Sequence, residues 1–109
     1  MSERIPDDAL VVRGGRNEPE SFERGTATHP SGVTGVSVQC EAGLSLPELA
    51  ESIPHSRIGV TTAGVVRAAG GDVVRTAGRS PHHATLTGLT PEAASRLFTP
   101  TVANPTRQR

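Results

Sequence analysis

Residues 57–100 read RIGVTTAGVVRAAGGDVVRTAGRSPHHATLTGLTPEAASRLFTP, and this stretch decides the fold class. Arg57-Ile58-Gly59-Val60-Thr61 is β-prone. Thr61 or Thr62 then caps a helix carrying Val65, Val66, Arg67, Ala68 and Ala69, which Gly70-Gly71 stops by a glycine C-cap. Asp72-Val73-Val74-Arg75-Thr76 returns as a strand, giving a β-α-β segment. After a loop holding Arg79, the run from His82 to Thr87 alternates. His83, Thr85 and Thr87 share one face; His82, Ala84 and Leu86 share the other. Gly88 breaks that strand. Thr90-Pro91-Glu92 opens a last helix, with Thr as N-cap and Pro at the first position. Ala93, Ala94, Leu97 and Phe98 form its apolar side, and Pro100 ends it.

Working outward toward the N-terminus, Val36-Ser37-Val38-Gln39-Cys40 also alternates, which sets Ser37 and Gln39 opposite Val36, Val38 and Cys40. Cys40 on the apolar face reads as a small core residue rather than a reactive thiol. Ser45-Leu46-Pro47-Glu48 is a capping box opening a short helix over residues 46–52, and Pro54 follows it. Leu10-Val11-Val12 is a short strand running through Arg13 into Gly14-Gly15. Arg13 thus falls at a strand end, beside glycines that permit close backbone approach. Residues 16–35 are polar and rich in Gly and Pro, so they read as one long loop from which Phe22 plugs into the core. The expectation is a single α+β domain over residues 10–100, a twisted sheet of about four to six short strands with three short helices. Residues 1–9 read as a loose lead-in and residues 101–109 as a flexible tail.

Composition limits the functional classes. Only 34% of the 109 residues are hydrophobic, with two Phe and neither Trp nor Tyr, so the core is lean and aromatic anchors cannot dominate it. Eleven acidic residues cancel eleven basic ones, which argues against a nucleic-acid or anionic-membrane surface. All the basic residues are Arg, the better fork for anions. One Cys excludes an internal disulfide and a Cys-based zinc site. No run reaches the ~18 apolar residues of a membrane span. Glu3, Asp7 and Asp8 stand where a signal peptide carries positive charge, so a cytoplasmic protein is expected.

Few local patterns carry chemistry. The helix start at Thr61-Thr62 suits an anion, or ordinary capping, and no phosphate-loop or dinucleotide fingerprint accompanies it. His82 and His83 point to opposite faces and cannot chelate one metal together, so no metal site is expected. A Ser-His-Asp set can be drawn from Ser37, His83 and Asp72 without local support. His83, flanked on its own face by Thr85 and Thr87, is the more plausible site element.

Two resemblances add to this. Val11-Val12-Arg13-Gly14-Gly15, Gly35-Val36-Ser37-Val38, Gly59-Val60-Thr61-Thr62, the run from Arg67 to Val74, and His83-Ala84-Thr85-Leu86 through Leu97-Phe98 resemble a group of small uncharacterised bacterial proteins. More distantly, a strand ending in Arg13, Ser37 on a following strand, Gly64 through Asp72, and the His83-bearing strand before a proline come in the order found in ADP-ribosyltransferase-like toxins. The likeness is closest to small effectors of type VI secretion. That resemblance implies a toxin domain binding NAD, with Arg13 on the dinucleotide's phosphate or ribose, Ser37 supporting the nicotinamide pocket and His83 lining the site. Gly14, Thr61, Thr62, Arg67 and Thr85 complete the candidate NAD-binding set, and the implied partner is a cognate antitoxin or immunity protein. Such transferases use a Glu on a late strand; here no late strand carries one, and Glu92 opens a helix instead. The alternative expectation is a non-catalytic protein-binding module.

Overall fold

The computed structural model describes residues 4–107. β1 (Leu10–Gly14) is the centre of the fold, paired antiparallel to β3 (Thr34–Glu41) on one side and β4 (Arg57–Thr62) on the other. Outside β3 come β6 (His83–Thr87) and then β5 (Asp72–Arg75); outside β4 lies β7 (Val102–Ala103). The two-residue β2 (Ala27–Thr28) pairs with β3 beyond the end of β1. The described residues form a single α+β domain with seven strands in one antiparallel sheet and four helices. β4 and β5 flank one helix in sequence yet stand apart in the sheet, with β1, β3 and β6 between them.

Neighbouring residues in a strand face opposite ways, and Val11 and Val12 are both buried, so the sheet must be covered on both sides. On the first face Val11, Val36, Val38, Cys40, Val73, Ala84 and Leu86 pack beneath three helices. These are α1 (Pro19–Gly25), α3 (Ala63–Ala68) and α4 (Pro91–Phe98), which contribute Phe22, Ala63, Val66, Ala94 and Phe98. The Phe22 and Phe98 rings meet at 5.6 Å and lock α1 to α4. On the second face Val12 and Ile58 meet Leu49 and Ala50 of α2 (Leu46–Ala50) and Ile53 just beyond it. That second layer covers only the β1–β4 half. Over β3 and β6 the same face presents Ser37, Gln39, His83, Thr85 and Thr87 instead.

The caps expected from sequence are in place. Ser45 and Glu48 form the reciprocal capping box of α2, while Thr62 accepts from Val65 N–H at 3.2 Å and Thr90 from Ala93 N–H at 3.1 Å. The differences lie at the ends and in residues 16–35. That segment, expected as a loop, contains α1 and β2. Glu18-Pro19-Glu20 starts α1 as Thr90-Pro91-Glu92 starts α4, but without a side-chain cap, and Phe22 is buried as expected. Residues 101–109 carry β7 and a buried Asn104, whose side chain donates to the carbonyls of Ile53 (3.1 Å) and His55 (2.9 Å). In the lead-in, Ile5 and Ala9 join the core. Residues 1–3 and 108–109 lie outside the described residues. Among the described residues no helix is long and apolar enough to cross a membrane.

Candidate functional site

Arg13 is paired with Gly59, and a Cβ on Gly59 would run into Phe98 and Asn17, so Arg13 faces the helical layer. There its guanidinium is used by the fold. Nη1 donates to Ser21 Oγ at 2.8 Å and to Asn17 Oδ1 at 3.2 Å, Nη2 donates to the Ser21 carbonyl at 3.3 Å, and the group lies over the Phe22 ring at 4.5 Å. Asn17, fully buried with φ 57°, returns hydrogen bonds to the carbonyls of Arg13 (3.0 Å) and Gly15 (3.1 Å). Gly25 leaves room for this arrangement, since a Cβ there would stand 2.6 Å from Arg13 Nη2. Burial without a described acidic partner lowers the Arg13 pKa. The side chain staples α1 to β1.

Ser37 and His83 lie on the other face and meet. His83 sits opposite Gln39, one pleat from the Ser37–Thr85 pair, and its Nε2 is 3.0 Å from Ser37 Oγ. Its Nδ1 is 2.9 Å from Thr76 Oγ1 and 3.3 Å from the Thr76 carbonyl. A carbonyl can only accept, so this network assigns the ring proton to Nδ1 and leaves the Nε2 lone pair for the Ser37 hydroxyl. Thr76 Oγ1 continues the chain to buried Thr85 Oγ1 at 2.8 Å. Gly78 packs on the imidazole so closely that a Cβ would stand 2.6 Å from Cδ2, which fixes the ring. His29 adds a second imidazole 6.0 Å away, centroid to centroid, and its Nε2 donates to the Ala77 carbonyl at 2.7 Å. That bond straps residues 26–33 to the loop beside His83.

Beside Ser37 the sheet opens. The β1–β3 ladder ends at Val12–Gln39, and the β2–β3 ladder begins only at Ala27–Gly35. Cys40 N–H donates to the His82 carbonyl, so even-numbered β3 residues bond toward β6. By alternation the Ser37 N–H and carbonyl point away from β6, into the gap, where no ladder among the described residues reaches Ser37. A groove of about 180 Å³ occupies this place, lined by Val12, Arg13, Gly14, Ser37, Val38, Gln39 and residues 52–55. Its far wall is held by Asn104 and by Arg107, whose Nε donates to the Ile53 carbonyl at 3.1 Å. Gly14 is essential to the shape, because a Cβ there would overlap His55 and Ile53. Gln39 Oε1 is buried with no hydrogen-bond partner among the described residues.

The candidate set from sequence is therefore partly gathered. Arg13, Gly14 and Ser37 line one groove, Ser37 holds His83, and Thr85 is linked to His83 through Thr76. Thr61, Thr62 and Arg67 stand elsewhere. The first N–H groups of α3 are taken by the Ala9 carbonyl (Ala63, 3.0 Å), the Asp7 carbonyl (Gly64, 2.8 Å) and Thr62 Oγ1 (Val65, 3.2 Å), which leaves that helix start no donors for an anion. Arg67 pairs with Asp72 at 2.8 Å and Asp7 at 2.6 Å, and the hydrogen bonds it donates to these carboxylates, Asp72 first, raise its pKa. Asp72 consequently serves Arg67 and not His83. His55 and Gln39 also line the groove, although neither is among the sequence candidates; nothing local marks either, because the groove forms only when residues 52–55 fold against the β1–β3 gap. Among the described residues no cluster of three or more His, Cys, Asp or Glu side chains could hold a metal ion. Compared with family models, curated proteins and solved structures, the chain matches none.

Proposed function

We propose that this domain is a binding module whose groove takes an amide-bearing segment of a protein partner. The break between the β1–β3 and β2–β3 ladders at Ser37 carries this reading. One N–H and one carbonyl, bounded on both sides by finished ladders, offer a partner's peptide group a short stretch of strand addition. The volume agrees: about 180 Å³ is below the ~300 Å³ where cofactor pockets begin, and suits one residue of an extended chain. Hydrogen exchange tests it. In the free protein the Ser37 amide exchanges faster than the Val36 and Val38 amides, and a pool of capped tripeptides slows Ser37 selectively. Exchange at Ser37 that no peptide alters defeats the proposal.

A second reading has one observation in its favour. Arg13 and Ser37, ordered as in ADP-ribosyltransferase-like toxins, line the same groove with Gly14, and Ser37 bonds His83. In that reading the domain is a toxin that binds NAD and is restrained by an antitoxin or immunity protein. It ranks second because both Nη groups of Arg13 are engaged within the fold and no carboxylate lines the groove. Titration with NAD separates the two. Saturable amide shifts at Gly14, Ser37 and His83 would move the toxin reading to the front, and a silent titration leaves the peptide reading alone.

A further inference from the structure

We propose that Ser37 is an activated nucleophile, with His83 as its general base, and that the groove admits a small activated acyl group such as an ester or thioester. Three features converge on this. First, Ser37 is exposed and lines the groove, and its Oγ is 3.0 Å from His83 Nε2, within the reach a proton transfer needs. Second, the Thr76 carbonyl at 3.3 Å from Nδ1 sets the tautomer that leaves Nε2 free to accept the serine proton. In serine hydrolases a carboxylate does this orienting; here a main-chain carbonyl and the Thr76 hydroxyl at 2.9 Å take the position. Third, the Ser37 N–H points into the same gap and is a donor for the oxyanion that forms as Oγ adds to a carbonyl.

The step balances without any further reactant. The Ser37 Oγ–H proton passes to His83 Nε2 while Oγ bonds the acyl carbon. The carbon–heteroatom bond to the leaving group then breaks, and the leaving alcohol or thiol departs with the proton from His83. Water, activated by the same nitrogen, hydrolyses the acyl-serine. This inference goes beyond the binding reading and does not depend on it, since it needs only the Ser37–His83 pair and an open approach.

An alkyl fluorophosphonate applied to the full chain is the test. Oγ–P bond formation expels fluoride, and His83 takes the proton, leaving a covalent adduct readable by intact mass. A single adduct is expected on Ser37, absent from Ser37→Ala and formed about 100-fold more slowly in His83→Gln, in the range a general base contributes. If His83→Gln does not fold, the wild-type chain supplies the comparison itself. Ser52 lines the same groove with no histidine bonded to it among the described contacts, so peptide mapping must find Ser37 modified and Ser52 untouched. No adduct, equal modification of Ser52, or an undiminished rate in folded His83→Gln overturns the proposal. None of these results bears on peptide protection of the Ser37 amide, so the two ideas fail separately.

Discussion

Arg13 and Ser37 stand one strand apart at the same gap, on opposite faces of the sheet, and their surroundings differ in kind. The Arg13 side is a closed polar network under α1 and α4, in which the described partners are neutral and supplied by the fold. On the Ser37 side the second layer stops short, leaving Ser37 exposed at the groove with its hydroxyl bonded to the His83 imidazole. Charge alone therefore misleads about function here. A guanidinium whose two Nη groups are bonded within the fold staples helix to strand, whereas the exposed Ser37 hydroxyl meets only the His83 imidazole among its described contacts.

The sharpest way to break this contrast is Arg13→Ala. Removing the guanidinium loses the bonds to Asn17 and Ser21 and the contact over Phe22, and leaves Asn17 Oδ1 without its donor. A loss of about 2–4 kcal/mol in urea unfolding is expected, large for one side chain. An Arg13→Ala protein as stable as wild type would return Arg13 to the ligand side. The same figure bears on the NAD titration: lost NAD binding in Arg13→Ala counts only where the variant is shown to be folded.

Next in size is Gly14→Ala, where the new Cβ would enter the space of His55 and Ile53. Displacing residues 52–55 costs about 1–3 kcal/mol as overpacking and closes the groove. Peptide protection at Ser37 is expected to vanish in this variant, and its persistence would locate the binding surface elsewhere. Cys40 probes the closed face by pH. Burial pushes its thiol up to about 11 from an ordinary 9.0, so the folded state favours the neutral form. Its contribution to stability is complete below pH 9, is lost as pH rises from 9 to about 11, and changes no further once both states ionise. Urea midpoints measured across that range in wild type and Cys40→Ala check this, the decline being steeper in wild type.

How legible was this in the sequence? Strands and helices with local punctuation were, because caps such as Ser45–Glu48 and Thr90–Pro91 act within four residues. α1 was missed because its start lacks a side-chain cap and its apolar content is essentially Phe22, which packs through a distant partner, Phe98. β7 was missed because two residues paired to Arg57 and Ile58 have no local signature. The alternation of residues 36–40 and 82–87 correctly put Ser37 and His83 on polar faces. That they touch depends on the β3–β6 register, and that Arg13 faces away depends on the β1–β4 register. Neither is written in neighbouring residues.

The smallest stability effect belongs to Ser37→Ala, and it tests the open face most directly. Ser37 is exposed and its hydroxyl has one described partner, His83 Nε2, which can turn to water once the serine is gone. A change within about 0.5 kcal/mol is therefore expected. The Ser37 main chain is unaltered in this variant, so strand addition to the gap should survive while fluorophosphonate labelling disappears. Peptide protection retained and labelling lost would separate recognition by the backbone from chemistry by the side chain at one residue. If instead Ser37→Ala costs as much stability as Arg13→Ala, the Ser37–His83 bond belongs to the scaffold, and the distinction between a closed face and an open one collapses.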